Sequence, residues 1–151
     1  MKRCMFLLAA LSLFAAGCGK EETETAVTPQ QADFQGTVTV TYQEKDYDNP
    51  NIRVDFTPSE DGKTATLTMY KIKFVPQMPV TIDVTIPDVA LTVSGNTVTL
   101  SCDGVDPLAM GGPVSRYHVK NLTGTLTGET LQFSLLFGDY PTRFSGTKAA
   151  Q

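Results

Sequence analysis

From Asp33 onward, apolar residues fall at every second position in short runs, and Gly, Pro, Asn and Asp separate the runs. A period of two sends alternate side chains to opposite faces, which is the pattern of half-buried strands and not of a helix. Val38, Val40 and Tyr42 share one face against Thr37, Thr39 and Thr41. Threonine forms strands well and tolerates water, so the polar face suits solvent. A turn through Asp46 to Asn51 is expected next, followed by Ile52, Val54 and Phe56 alternating with Arg53 and Asp55. Pro58 to Gly62 reads as a hairpin connection. Val80, Ile82, Val84 and Ile86 then alternate, Pro87-Asp88 predicts a short turn or kink, and Val89, Leu91 and Val93 follow. Gly95-Asn96 is a two-residue hairpin signal leading into Val98, Leu100 and Cys102. Asp103 to Ser115, with three glycines and two prolines, reads as a long irregular mouth loop.

Two runs change parity. Ala65, Leu67 and Met69 lie on one face, yet Tyr70, Ile72 and Phe74 continue the apolar series on the other. Tyr117 and Val119 give way in the same manner to Leu122 and Leu126. A strand cannot change faces without an extra residue, so a β-bulge or sharp bend is expected near Met69 and Tyr70. Gly128-Glu129 turns the chain into Leu131, Phe133, Leu135 and Phe137, and a last short segment points Phe144 inward. Eight or nine antiparallel strands in one domain suit a barrel or a two-sheet sandwich. The bends favour the barrel, because they curl a sheet until its edges meet.

The start of the chain is different. Lys2 and Arg3 precede an apolar run from Met5 to Phe14, then Ala15, Ala16, Gly17 and Cys18, which is the layout of a secretory leader too short to span a bilayer. Residues 1–17 are therefore expected to be a cleaved signal, 18–32 a flexible tether rich in Glu, Thr, Gln and Pro, and 33–151 the folded domain. The full chain carries 12 Lys and Arg against 16 Asp and Glu, and loss of Lys2 and Arg3 leaves ten against sixteen, a net charge of −6. That acidity argues against a nucleic-acid partner. Of the three cysteines, Cys4 leaves with the leader, so with Cys18 lipidated only Cys102 remains and the mature fold must rest on apolar burial.

Cys18 directly after small residues resembles the bacterial lipobox, in which that cysteine takes a lipid, though Ala15 stands where leucine is usual. The opening Phe34-Gln35-Gly36-Thr37-Val38, the Asp61-Gly62 hairpin, the Met78-Pro79-Val80 connection, and Gly124 to Gly128 with Phe144-Ser145-Gly146 together resemble the calycin-like β-barrel lipoproteins of the Bacteroidota. The resemblance implies an all-β fold: a single antiparallel, eight- to nine-stranded, lipocalin-like barrel after a cleaved lipoprotein signal. Lys20, Glu21 and Glu22 resemble the signal that sends lipoproteins of that phylum to the outer cell surface. The implied location is the outer membrane, lipid-anchored and exposed at the cell surface.

No residue pattern announces an enzyme, a cofactor or a metal. Cys102 shares the inward parity of Val98 and Leu100 and reads as a small buried hydrophobe. His118, the single histidine, is expected to face solvent. Asp46, Asp48 and Asn51, and Asp103 with Asp106, are spaced as calcium ligands can be, but such residues are also ordinary in turns. The leading expectation is a non-enzymatic envelope protein binding a small apolar or amphipathic ligand. Met69, Tyr70, Met78, Met110 and Tyr117 are its candidate contacts, being adaptable or amphipathic side chains near predicted connections. One alternative is an interaction or inhibitor module for another envelope protein. That reading expects a filled barrel and an exposed apolar patch on the 103–115 loop. A surface glycan-binding accessory protein is the third.

Overall fold

The computed structural model describes residues Val27 to Ala149, so Cys18, Lys20, Glu21 and Glu22 lie outside the described residues. Ten strands run through them: β1 (Ala32–Tyr42), β2 (Lys45–Pro58), β3 (Thr64–Ile72), β4 (Ile82–Ser94), β5 (Thr97–Cys102), β6 (Leu108–Ala109), β7 (Gly112–Pro113), β8 (Val119–Thr127), β9 (Thr130–Phe137) and β10 (Tyr140–Lys148). Their order in the sheet is β3-β2-β1-β10-β9-β8-β5-β4, and β3 pairs with β4 to close the ring. The fold is thus an eight-stranded antiparallel barrel, compatible with a calycin-like fold, with the small β6-β7 hairpin added on β4. Among the described residues, no helix is long and apolar enough to cross a membrane.

Both parity switches are bulges. The register of β3 on β4 shifts between Met69 and Ile72, where Lys71 has a φ of 60°. That of β8 on β9 shifts between Lys120 and Thr123, where Asn121 has a φ of 53°. Pro87-Asp88 is a kink inside the continuous β4 and not a break between strands, with Asp88 at a φ of 58°. Each extra residue bends its strand and deepens the local twist, as closure requires.

The turn expected through Asp46 to Asn51 is absent, because these residues lie within β2 and the chain reverses earlier, at Gln43 and Glu44. Aspartate forms strands poorly, but here each has a partner across the pair. The Thr39 hydroxyl donates to Asp48 at 2.7 Å and the Thr41 hydroxyl to Asp46 at 2.6 Å. Val80, expected inward, precedes β4 and is 62% exposed.

The barrel interior is occupied by its own side chains. Phe34, Val38, Val54, Phe56, Leu67, Met69, Ile72, Ile86, Leu100, Leu131, Phe137 and Phe144 are buried in one continuous apolar cluster. Gly36 and Gly146 face each other across β1 and β10, and a Cβ on either would collide with the opposite strand's backbone. Only glycine allows that close approach.

Candidate functional site

The two ends of the barrel are built differently. The chain enters at the near end, where the Val27 amide donates to the Gly95 carbonyl at 2.9 Å. The near end also carries the β2-β3, β4-β5 and β8-β9 connections and the close of β10. The far end carries the β1-β2 and β9-β10 turns and the two longest connections, residues 73–81 and 103–118.

Far-end aromatics form a continuous layer. Phe74 is buried at its base, with Tyr117 stacked on it at 4.2 Å between ring centroids, Phe137 edge-on at 5.0 Å and Tyr140 at 6.1 Å. Tyr42 continues the layer from Tyr140 at 6.0 Å and reaches Tyr47 at 6.5 Å. The four tyrosines are half-buried, and Tyr117 and Tyr140 pack against the core. The guanidinium of Arg116 lies 5.6 Å from the Tyr117 ring centre, within cation–π range. Met78 joins from the 73–81 connection, its sulfur accepting the Phe74 amide at 3.1 Å.

The 103–118 segment is more ordered than a plain loop. Pro107 to Val114 folds back on itself as the β6-β7 hairpin, with Leu108 opposite Pro113 and the Val114 amide donating to the Pro107 carbonyl at 2.8 Å. Leu108 also pairs with Thr85 of β4, and because β6 runs antiparallel to β4, the hairpin tip points toward the far end. Ala109 turns inward and is buried, leaving Leu108 at 41% exposure and Met110 at 74%. A single 3-10 turn, Ser115–Tyr117, leads back to the wall. His118, expected to face solvent, is half-buried, and its Nδ1 lies 2.6 Å from the Asp106 carboxylate, which ties both ends of the segment together.

The five candidate contact residues therefore do not form one site. Met78 and Tyr117 meet at the far-end layer through Phe74. Met110 stands at the hairpin tip of the same end. Met69 is fully buried among the interior side chains. Tyr70, one residue later and before the bulge, faces outward and donates from its hydroxyl to Asp55 at 2.8 Å.

Tyr70 belongs to an outer-wall network. Asp33 on β1 pairs directly with Asp55 on β2, and Arg53 bridges both, at 3.2 Å and 2.8 Å. The hydrogen bond with Asp55 raises the Asp33 carboxyl above its ordinary value. Burial pushes the Asp55 carboxyl up, but hydrogen bonds from Arg53, Tyr70 and Asp33 outweigh it and hold the group below its usual range. Accepting from Tyr70 is also the main reason that phenol is raised.

The remaining candidates are spread over the surface. Cys102 is half-buried at the edge of the core, and burial, then Asp88 and Asp103, raise its thiol, which disfavours the reactive thiolate. Asp46 accepts from Thr41 and from Arg143, and Asp103 accepts the Asn121 amide. Among the described residues, no group of three or more His, Cys, Asp and Glu is placed to hold a metal ion.

Several clefts mark the described surface, including one of about 580 Å³ beside Asp88, Ser101, Cys102 and Asp103. Another of about 420 Å³ runs over the outer wall and is lined by Thr37, Thr39, Thr123, Thr125, Gln132 and Arg143. A smaller apolar one of about 200 Å³ lies at the near end between the Val27 strap, Ala32, Phe34, Val98 and Leu126.

Sequence reasoning missed the exposure of Val80, the place of Tyr42 in the aromatic layer, the partnership of His118 with Asp106 and the hairpin that carries Leu108, although the interaction-module alternative expected an exposed apolar patch on that segment. For Leu108 a signal existed: Met110-Gly111 between Pro107 and Pro113 is a two-residue turn with strand-ending prolines on either side. Compared with known protein families, curated proteins and solved structures, the chain matches none.

Proposed function

We propose that this chain is a lipid-anchored, non-enzymatic interaction module of the bacterial outer membrane, a member of the calycin-like lipoproteins that presents its far end to a protein partner in the envelope. One observation carries the reading. Three of the four large apolar side chains exposed among the described residues, Leu108, Met110 and Val80, belong to the two long far-end connections, at the same end as the half-buried tyrosines, and the fourth, Val27, lies at the opposite end where the chain enters. Exposed large apolar residues grouped at one end, next to amphipathic aromatics, are what protein contact surfaces are made of. In this reading lipid on Cys18 holds the near end toward the membrane, Lys20, Glu21 and Glu22 direct the protein to the cell surface, and the far end faces away.

The test is photocrosslinking in cells with the full chain. A photoreactive residue at Gln77 or Ser115, both in far-end connections, is expected to give one discrete adduct, identified by mass spectrometry as an envelope protein. The same probe at Thr99 or Gln132 on the outer wall should give none. Converting Leu108 and Met110 together to aspartate should remove the adduct. Equal adducts from wall and far end would sink the reading. Incorporation of labelled palmitate, lost in Cys18→Ala, tests the anchor separately.

A second reading, a small apolar ligand, is favoured by the near-end cleft between Val27, Phe34, Val98 and Leu126. At about 200 Å³ it is smaller than a typical drug-sized site. It suits a short alkyl chain.

A further inference from the structure

The described methionines live in three different environments. Met69 is fully buried in the barrel, and Met78 is half-buried with its sulfur already accepting the Phe74 amide. Met110 is 74% exposed at the tip of the β6-β7 hairpin. Its backbone is also unusual. Met110 has a φ of 53° and Gly111 a φ of 92°, so the tip is a two-residue turn with both residues left-handed. Asn or Gly takes the first of these positions at little cost, whereas a methionine there carries steric strain. The position therefore supplies a side chain at the expense of the turn, and that side chain is a flexible thioether held out into solvent.

We infer that Met110 is an oxidation switch on the docking surface: hydrogen peroxide converts its thioether to the sulfoxide and thereby releases the protein partner. The inference rests on the interaction reading above. In the step, the sulfur lone pair attacks one peroxide oxygen and the O–O bond breaks. The new S–O bond keeps that oxygen, and the other leaves as water with both protons. Sulfur loses two electrons and the peroxide gains them. A polar, chiral sulfoxide then replaces an apolar group at the exposed hairpin tip. Exposure selects Met110, because burial shields Met69 and the barrel wall and the Phe74 amide shield Met78. Cys102 is a poor competitor, since burial favours its thiol over the thiolate that peroxide attacks.

The experiment uses the full chain in two arms. In the first, protein is exposed to hydrogen peroxide and its peptides are weighed over time. Sulfoxide is expected at Met110 about tenfold faster than at Met78 or Met69, and equal rates at the three would overturn the inference. In the second, the Ser115 crosslink is measured before and after oxidation. It is expected to fall about thirtyfold, the size of one lost hot-spot contact. The crosslink that Met110→Leu forms, whatever its starting yield, should be insensitive to peroxide, because leucine has no sulfur to oxidise. A crosslink that survives complete oxidation of Met110 refutes the switch and leaves the docking surface standing. No crosslink from the reduced protein refutes the docking surface, and the switch falls with it.

Discussion

The near end and the far end of the barrel close the same eight strands by opposite means. At the near end, the β4-β5 and β8-β9 connections are two-residue turns with Gly95 and Gly128 at a φ of 60°, and apolar side chains such as Phe34 and Leu131 lie beneath them. At the far end, two of the four connections, residues 73–81 and 103–118, lengthen, a methionine occupies a left-handed position, and aromatic rings do the closing. Short glycine turns leave little for a partner to hold. The far end instead spends chain length and backbone strain on side chains that reach solvent, which is how binding surfaces are usually mounted on rigid scaffolds. In the proposed reading one end serves stability and the other contact, and each part of that reading can be broken separately.

The largest effects are expected from the two buried phenylalanines. Phe34→Ala near the entry and Phe74→Ala under the tyrosines should each cost about 3–5 kcal/mol in urea unfolding, the usual penalty for an uncollapsed cavity of that size. They should differ in reach. Phe74 supports Tyr117 and Tyr140, so its loss is expected to speed amide hydrogen exchange across residues 103–118, whereas Phe34→Ala should leave that segment protected relative to the global rate. Equal exchange in both variants would mean that the far-end connections hold their shape without the aromatic layer.

The same contrast explains what the residues made legible. Period-two alternation marks a strand wherever one face is buried, so nearly every wall strand could be read from its own residues. The bulges at Lys71 and Asn121 were legible for a related reason: the apolar series changes parity, and a strand can do that only by adding a residue. What local pattern does not carry is pairing. Asp46 to Asn51 has the composition of a turn, and it is a strand because Thr39 and Thr41 wait on the neighbouring one. Met69 and Tyr70 are adjacent, yet one is core and the other outer wall, so choosing them together as ligand contacts needed the closed barrel to correct it. Met110 was recognisable as adaptable, but its exposure depends on a hairpin whose strands are only two residues each.

Turn chemistry gives a smaller and more pointed comparison. Gly95 and Met110 have nearly the same backbone, at φ of 60° and 53°. Adding a Cβ at the first should cost about 1–2 kcal/mol, the left-handed penalty for an L-residue. Replacing the second by asparagine, which tolerates that region, should return up to about 1 kcal/mol by the same reasoning. Gly95→Ala is thus expected to lower the thermal midpoint and leave the Ser115 crosslink intact, while Met110→Asn should raise the midpoint and weaken the crosslink. If Met110→Asn is no more stable than the parent, the strain at the tip is absent and the argument that its side chain is kept for contact loses its support.

The smallest expected effect lies on the near half of the wall, where Asp33 faces Asp55. The raised Asp33 carboxyl means that the fold binds a proton there more tightly than the unfolded chain does, so stability falls as pH rises from the ordinary carboxylate range through the folded value, and the loss persists at neutral pH. Asp55 acts in the opposite sense. Its lowered carboxyl contributes stability above the ordinary range that is lost as pH falls through the folded value. Asp33→Asn supplies an amide donor in place of the shared proton and removes only the first contribution. Its thermal midpoint should therefore exceed the parent's at neutral pH and converge with it under acid conditions. Arg53 is the competing influence, because its contact with ionised Asp33 at 3.2 Å is surrendered in the variant. Both groups of that contact are about half exposed, where ion pairs contribute little. A midpoint lower than the parent's at neutral pH would show the Arg53 bridge outweighing the repulsion between the two carboxylates, and the near-end wall would then be held by charge as well as by its core.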